Sequence, residues 1–176
     1  MATTSIWSIK NNLKQSINYI INSEKTINKD YGNNDYNYLE YSGTKDYDFK
    51  NEKAQYVSCI NCSEYNPYGD MKFTKEQYRK TDGVLAFHGY QSFKEGEISA
   101  DIAHEIGVKF VEEMFNDYEV VVSTHQNTNH IHNHFIINSV SYKTGKKYNN
   151  NRANLAKLRQ ISDSICAEYG LSVLDE

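Results

Sequence analysis

Residues 123–138 read STHQNTNHIHNHFIIN and hold four of the chain's six histidines. His130, His132 and His134 occur at every second position, directly before the apolar run at 135–137, a pattern typical of a β-strand. Successive side chains of a strand point to opposite faces, so His132 and His134 share a face with Cα atoms about 6.6 Å apart. Because two imidazoles at that spacing can bind one ion, the segment predicts a metal centre.

A third metal ligand has two candidates. His130 has the same parity on the strand, whereas His125 ends the preceding apolar run at 118–124. If that run is the neighbouring antiparallel strand, its end returns beside the start of the next strand, and His125 completes a triangle. Three residues in line on one strand coordinate an ion poorly, so we favour His125, His132 and His134. His130 then supports a ligand or contacts substrate; the plainer alternative is a histidine-rich loop without metal.

A chain of 176 residues is most simply a single domain, residues 1–176, and its hydrophobic periodicity predicts an α+β fold. The two histidine-bearing strands adjoin directly, which favours a central antiparallel sheet with helices packed on one face. Residues 27–53 are rich in Asn, Asp, Tyr and Gly without a clear period and are interpreted as a long loop or an insertion. The other predicted elements are strands near 4–10, 54–61 and 83–90, a turn at 66–69, and helices near 12–22, 74–80, 99–114 and 155–169.

The net charge is −4, but the charges are unevenly distributed. From Val120 to Ser162 there are six lysines and arginines and no aspartate or glutamate. A basic surface that adjoins a histidine cluster is typical of a site for a phosphate backbone, so we expect this window to bind an unpaired nucleic-acid strand. The residues expected to contact the strand are Lys143, Lys146, Lys147 and Arg152.

The cysteines and the N-terminus indicate the compartment. No run approaches the apolar length of a membrane span, and the N-terminus lacks the charged start and apolar core of a leader peptide. Three cysteines without framework spacing are typical of a reducing environment. Cys59 and Cys62 form a C-x-x-C pair whose strand pleat is expected to send the two sulfurs to opposite faces. We expect a soluble, intracellular protein in which this pair is structural.

Three segments, in order along the chain, resemble the motifs of one enzyme family. Residues 17–26 (INYIINSEKT), 88–97 (HGYQSFKEGE) and 125–138 resemble the first, central and third motifs of conjugative relaxases. The resemblance is to the N-terminal catalytic domain of the P class of these HUH-superfamily mobilization nucleases, the class found on conjugative transposons of Gram-positive bacteria. It implies a two- or three-layer sandwich built on an antiparallel sheet.

The resemblance also implies a reaction. Relaxases use Mg²⁺ or Mn²⁺ to cut one DNA strand at a transfer origin, leaving a 5′-phosphotyrosine and a free 3′-hydroxyl. They act in the bacterial cytoplasm with relaxosome accessory proteins and a coupling protein. The nucleophile implied here is Tyr19. Helix phase is compatible with this role, because Tyr19 projects roughly 145° from the mean direction of the apolar stripe of the helix at 12–22.

One position departs from the family pattern. Relaxases commonly carry an acid two residues after the first histidine of the third motif, where this chain has Asn127. An amide can orient a neighbouring group but cannot take a proton. His130 is therefore the nearest substitute base.

Three other polar residues are candidates for DNA contact, each with a structural alternative. His88 lies on a strand in the central motif, Ser92 ends that strand or binds a phosphate, and Asn138 shares the parity of His132. His104, on a helix, is expected at the surface. A rolling-circle replication initiator and a non-catalytic DNA- or metal-binding module are the alternative functions; the position of Tyr19 before the histidine motif favours a relaxase.

Overall fold

The computed structural model describes residues 2–26 and 56–173, so the loop or insertion predicted at 27–53 lies outside the described residues. In this described part, no helix is both long enough and apolar enough to cross a membrane. The elements, in chain order, are β1 (Thr3–Ile9), α1 (Leu13–Ile20), α2 (Ser23–Thr26), β2 (Val57–Ile60), α3 (Pro67–Gln77), β3 (Ala86–Ser92), α4 (Ala100–Met114), β4 (Val120–His125), β5 (His132–Asn138) and α5 (Arg152–Glu168).

The strands form one sheet in the order β1-β3-β5-β4-β2, so β5, which carries His132 and His134, is the central strand. Every neighbouring pair is antiparallel. β4 and β5 pair directly, with His125 opposite His132. The predicted α+β fold with a central antiparallel sheet is confirmed.

Apolar side chains cover both faces of this sheet. Phe135 and Ile137 of β5 pack with α4 and α5 in a first core cluster, whereas Ile136 packs with α1 in a second cluster on the opposite face. The expectation that helices cover only one face is therefore wrong. The unbroken apolar run at 135–137 is the reason, because a strand with one solvated face alternates apolar with polar residues.

The second face has two ends that differ in what covers them. At one end α1 and α3 pack their apolar residues over Ile136. On the far side of these two helices lies the asparagine end, which we define as Asn138 together with its hydrogen-bond partners Lys75 and Glu119. The opposite, histidine end carries His132 and His134 with their cross-strand partners Tyr90, Ser92, Ser123 and His125.

Capping residues set the helix boundaries. The Ser99 hydroxyl accepts a hydrogen bond from the backbone N–H of Ile102 and starts α4, as the sequence predicts. The turn predicted at 66–69 is instead the first turn of α3, in which the Asn66 side chain accepts a hydrogen bond from the backbone N–H of Gly69. Pro67 occupies the first helical position, where its missing N–H has no helical partner. Helix α3 thus begins earlier than the predicted residue 74.

The C-x-x-C pair also corrects a prediction. Strand β2 ends at Ile60, and Asn61 has a left-handed φ of 61°, so the chain turns before Cys62 and the strand pleat no longer separates the two sulfurs. Both are free thiols packed against the second core cluster. The hydrogen bond with Cys59, followed by burial, raises the pKa of the Cys62 thiol well above its ordinary value.

Candidate functional site

Three histidines converge at the histidine end. His125 ends β4 and His132 begins β5 directly opposite it, while His134 lies two residues further along on the same face. One ring nitrogen from each lies within 4.8 Å of the others, and all three side chains are buried. The geometry agrees with the predicted set and with the choice of His125 over His130 as the third member, because antiparallel pairing returns the end of β4 to the start of β5.

Hydrogen bonds orient each imidazole of this histidine triad. The His125 Nε2–H donates to the carbonyl of Ile20 (2.8 Å), and the His132 Nδ1–H donates to the carbonyl of His130 (2.9 Å). A carbonyl only accepts, so the second ring nitrogen of each histidine keeps its lone pair. His134 Nδ1 lies 2.8 Å from His88 Nε2, a hydrogen bond in which either ring can donate; in the tautomer with His134 as donor, its Nε2 is free in the same way.

The protonation state of the triad suits a divalent cation. Burial lowers the pKa of His125 to about 4 and that of His134 to about 2, and it also lowers the pKa of His132. Smaller contributions come from neighbouring histidines and from the Lys25 ammonium. The three imidazoles are therefore neutral near pH 7, which is the form that binds metal. Donor type, spacing and orientation of these residues fit a bound divalent ion.

Tyr19 faces the triad from helix α1. Its ring makes edge contacts with the rings of His125 and His134, with centroids 6.0 Å and 5.8 Å apart, and the side chain is 49% exposed. The opposite side of α1 buries Leu13 and Ile17 in the second core cluster. The prediction that helix phase leaves Tyr19 free to face a site is confirmed.

Lys25 belongs to this site but was missed in the sequence. Its Nζ lies 3.5 Å from the centroid of the Tyr19 ring, a cation–π contact. Short helix α2 is fixed beside β4 because the Gln126 backbone N–H donates to the Lys25 carbonyl and the Gln126 side chain donates to the Thr26 carbonyl. Only this tertiary contact brings Lys25 to the tyrosine, so residue spacing gave no signal.

Strand β3 supplies the wall beside His134. His88 is buried and contacts His134 through its ring nitrogen, so it supports that imidazole. Burial lowers the pKa of His88 to about 4. Tyr90 was missed, although it shares the parity of His88; its ring lies 5.3 Å from those of both His132 and His134. Ser92, half-buried, lies opposite His132 on the same face.

Asn127 and His130 lie in the exposed connection between β4 and β5. The described contact of His130 with the triad is made by its backbone carbonyl, which accepts hydrogen bonds from His132 Nδ1 and from the Thr128 hydroxyl. The structure therefore places both residues next to the triad in the chain, with side chains on the solvent side.

Asn138 lies away from the triad, in the packing role that was its structural alternative to DNA contact. It lies six residues after His132, about 20 Å along the strand, and is fully buried. Its side chain accepts a hydrogen bond from the Lys75 ammonium and donates to the Glu119 carboxylate. Asn138 and His132 do share a face of the sheet, as predicted. Helices α1 and α3 pack on that face between them, so Asn138 is separated from the triad.

The predicted basic surface also lies away from the histidines. Residues 139–148 leave the far end of β5, where Lys143 pairs with Asp117 (2.8 Å) and Lys147 donates to the carbonyl of Asp82. Lys146 belongs to the same segment, and Arg152 begins α5, which packs on the other face. The expectation that these cations adjoin the triad is wrong. The triad lies at the start of β5, whereas the basic segment follows the end of that strand.

A buried polar row lies directly behind the triad. The Thr124 hydroxyl donates to Asn133, whose amide donates in turn to Gln91, and Gln91 donates to Ser162. His104 joins this row through Thr124 (2.9 Å) and also contacts the Ser58 hydroxyl (2.8 Å). The prediction that His104 lies at the surface is wrong, because α4 packs on β2 and β4; burial lowers the pKa of His104 to about 4.

Comparison with known proteins defines the class. Residues 19–171 match the family model described as relaxase, MobA/VirD2-like, nuclease domain. A match over most of the chain identifies it as a relaxase nuclease domain. The chain belongs to the MobA/VirD2-like relaxase family, and the resemblance read from the three motifs is confirmed.

Individual relatives agree. A protein named rlx from Staphylococcus aureus is 37% identical over 128 residues, which cover 73% of this chain and 39% of the relative. The group II intron-interrupted relaxase LtrB of Lactococcus lactis is 29% identical, covering 93% of this chain and 36% of the relative. The chain thus spans about two fifths of the length of these curated relatives.

One solved chain shares the fold. It comes from work on the molecular basis of vancomycin resistance transfer in Staphylococcus aureus and superposes with a TM-score of 0.57 at 15% identity. The match covers 98% of this chain and 96% of that chain. At this identity the likeness shows the fold alone.

Proposed function

We propose that this domain is a metal-dependent, sequence-specific DNA nickase and strand transferase that attaches itself to one strand of a transfer origin through Tyr19. The observation that carries the proposal is the position of Tyr19, whose half-exposed ring contacts His125 and His134 of the triad. The proposed nucleophile thus lies beside the candidate metal centre.

The reaction exchanges one phosphodiester bond for another. The Tyr19 oxygen forms a bond to the phosphorus while the bond from phosphorus to the 3′-oxygen breaks, which yields a 5′-phosphotyrosine and a 3′-hydroxyl. The tyrosine proton passes to a base, for which we propose His130, and the leaving 3′-oxygen gains a proton. The reverse reaction joins strands. Asn127 orients neighbouring groups but takes no proton.

The triad would hold Mg²⁺ or Mn²⁺, which when bound supplies positive charge to polarise and neutralise the scissile phosphate. Lys25 adds a second cation beside the Tyr19 ring. His88 holds the His134 ring in place through its 2.8 Å contact. A neutral tyrosine hydroxyl is a weak nucleophile, so the proposed step requires a base to take its proton.

We propose single-stranded DNA at the origin as the substrate, with His88 and Ser92 on the strand that borders it. Relaxosome accessory proteins and a coupling protein are the proposed partners, and the bacterial cytoplasm the proposed location; both follow from family membership. The cations Lys143, Lys146, Lys147 and Arg152 lie too far from the triad to hold the scissile phosphate.

The test is a denaturing gel that detects a covalent protein–DNA adduct. Labelled single strands covering the transfer origin of the host element are incubated with Mn²⁺ and wild-type protein, the Tyr19→Phe variant, or the Tyr65→Phe control, which changes another exposed tyrosine. We expect a metal-dependent adduct with wild type and control and none with Tyr19→Phe. Cleavage without an adduct would indicate attack by water, and binding without cleavage would indicate a non-catalytic module.

A further inference from the structure

Trp7 has an unusual position for a tryptophan. It lies on edge strand β1, faces the same side of the sheet as the triad, and is 47% exposed. It belongs to neither apolar core cluster. Its ring contacts that of His88, with centroids 4.5 Å apart and planes tilted by 31°. An indole that is half exposed beside an active-site cleft offers a flat surface for another ring.

The cleft in front of Trp7 has two different walls. Trp7, Tyr90 and Tyr19 line its aromatic side, whereas Asn12, Gln15 and Ser16 at the start of α1 line its polar side. Its volume is about 660 Å³. The Asn12 side chain makes no capping hydrogen bond to α1. Its amide is therefore available to a ligand, and none of the described lining residues carries a carboxylate that would repel DNA.

This cleft continues into the proposed reaction centre. His134 and Tyr19 line it as well, so a group bound against Trp7 is a direct neighbour of the phosphate that Tyr19 attacks. The polar residues Asn12, Gln15 and Ser16 therefore border the same space as Tyr19 and His134.

We propose that this Trp7 cleft binds one unpaired DNA base next to the scissile phosphate, stacked on Trp7 with its edge toward Asn12 and Gln15. The inference rests on the proposed function, since it assumes a DNA strand at the triad. Aromatic stacking fits any base, and the amides add hydrogen bonds that distinguish one base from another. Trp7 is then a substrate-binding residue that contributes to origin specificity.

Intrinsic fluorescence tests this directly, because Trp7 is the only tryptophan of the chain. Dye-labelled single strands from the origin region are titrated into the Tyr19→Phe variant, which avoids cleavage, and dye anisotropy measures binding while tryptophan emission measures stacking. We expect emission to be quenched as the tightest-binding strand saturates the protein. Unchanged emission at full saturation would overturn the proposal.

A scan of abasic positions locates the base. Removing the stacked base is expected to restore emission and to weaken binding about 5- to 150-fold at one position near the nick. Trp7→Ala should weaken binding of the intact strand to the same extent. The variant should then bind the intact strand and the strand abasic at that position with equal affinity. Trp7→Phe should retain most of the affinity, and Phe73→Ala, which removes an exposed aromatic side chain outside the cleft, should retain all of it.

If Trp7 only shields His88, Trp7→Ala would weaken binding of every strand by the same factor, whether abasic or intact. That result would overturn the cleft proposal. The gel assay separates this from failure of the proposed function. A Tyr19-dependent adduct without quenching overturns the cleft alone. Quenching at one base without any adduct keeps the cleft and overturns the proposed nicking reaction.

Discussion

The histidine end and the asparagine end of strand β5 present polar side chains to the same face of the sheet, but they differ in what those side chains contact. His134 lines the cleft, and His132 beside it directs a ring nitrogen toward the same point as His134 and His125. The Asn138 amide is instead engaged within the protein, by Lys75, by Glu119 and by the carbonyl of Met71. The difference shows that strand parity gives the direction of a side chain, whereas the helices packed above decide whether it can meet a ligand.

Electrostatics separates the two ends as well. Burial lowers the pKa of the triad histidines, so these groups are uncharged and available to a cation. At the asparagine end the buried groups include an ammonium and a carboxylate, which stabilise each other through Asn138. We therefore expect substitutions at the histidine end to change binding and chemistry, and substitutions at the asparagine end to change stability.

The largest effect is expected for His134→Ala at the histidine end. Removing one of the three proposed ligands should weaken Mn²⁺ binding by at least about 100-fold, measured by titration calorimetry, and reduce adduct formation to a similar degree. The free energy of unfolding without metal should change by less than about 2 kcal/mol. Unaltered Mn²⁺ affinity would remove His134 from the metal centre.

Asn138→Ala is the matched change at the asparagine end. It leaves the Lys75 ammonium and the Glu119 carboxylate buried without their shared partner, so the free energy of unfolding should fall by about 2–4 kcal/mol in urea titrations. The Mn²⁺ affinity of the folded protein should match wild type. Loss of Mn²⁺ binding at full stability would reverse the comparison between the two ends.

A smaller effect concerns pH. Burial lowers the pKa of Lys75 to about 8, whereas the ordinary value is 10.5. Between these two pH values the unfolded chain binds the Lys75 proton more tightly than the folded protein does. The contribution of Lys75 to the free energy of unfolding is therefore full above pH 10.5 and is lost as pH falls toward 8. The slope is no more than ~1.4 kcal/mol per pH unit. Lys75→Met should lack this slope.

Urea titrations from pH 7 to 9.5 give the free energy of unfolding of wild type and of Lys75→Met. The difference between the two values isolates the contribution of Lys75, because all other titrating groups are common to both proteins. We expect the stability of wild type to rise relative to Lys75→Met as pH increases above 8. Parallel profiles would mean that Lys75 keeps an ordinary pKa in the folded protein.

Much of the histidine end could be predicted from the sequence. Period-two histidines beside an apolar run place His132 and His134 on one face, and antiparallel return of the preceding run brings His125 to them. Helix phase places Tyr19 opposite the core stripe. These inferences succeed because they depend on local geometry and on one turn between neighbouring strands.

The remaining site features depend on contacts between distant segments. Lys25 reaches Tyr19 through a short helix fixed by Gln126, and Trp7 reaches His88 through the β1–β3 pairing. The basic window failed as a prediction for the converse reason. Lys143 and Lys147 are close to His134 in sequence, but they follow the far end of β5 and pair with groups there.

The most direct test of the central claim is to locate the covalent bond between protein and DNA. The wild-type adduct is trimmed with nuclease, digested with trypsin and analysed by mass spectrometry. Cleavage after Lys14 and Lys25 yields the peptide of residues 15–25, in which Tyr19 is the only one of the chain's fifteen tyrosines. We predict that this peptide carries the nucleotide mass on Tyr19. A nucleotide found on any other peptide would contradict the assignment of the histidine end as the reaction centre.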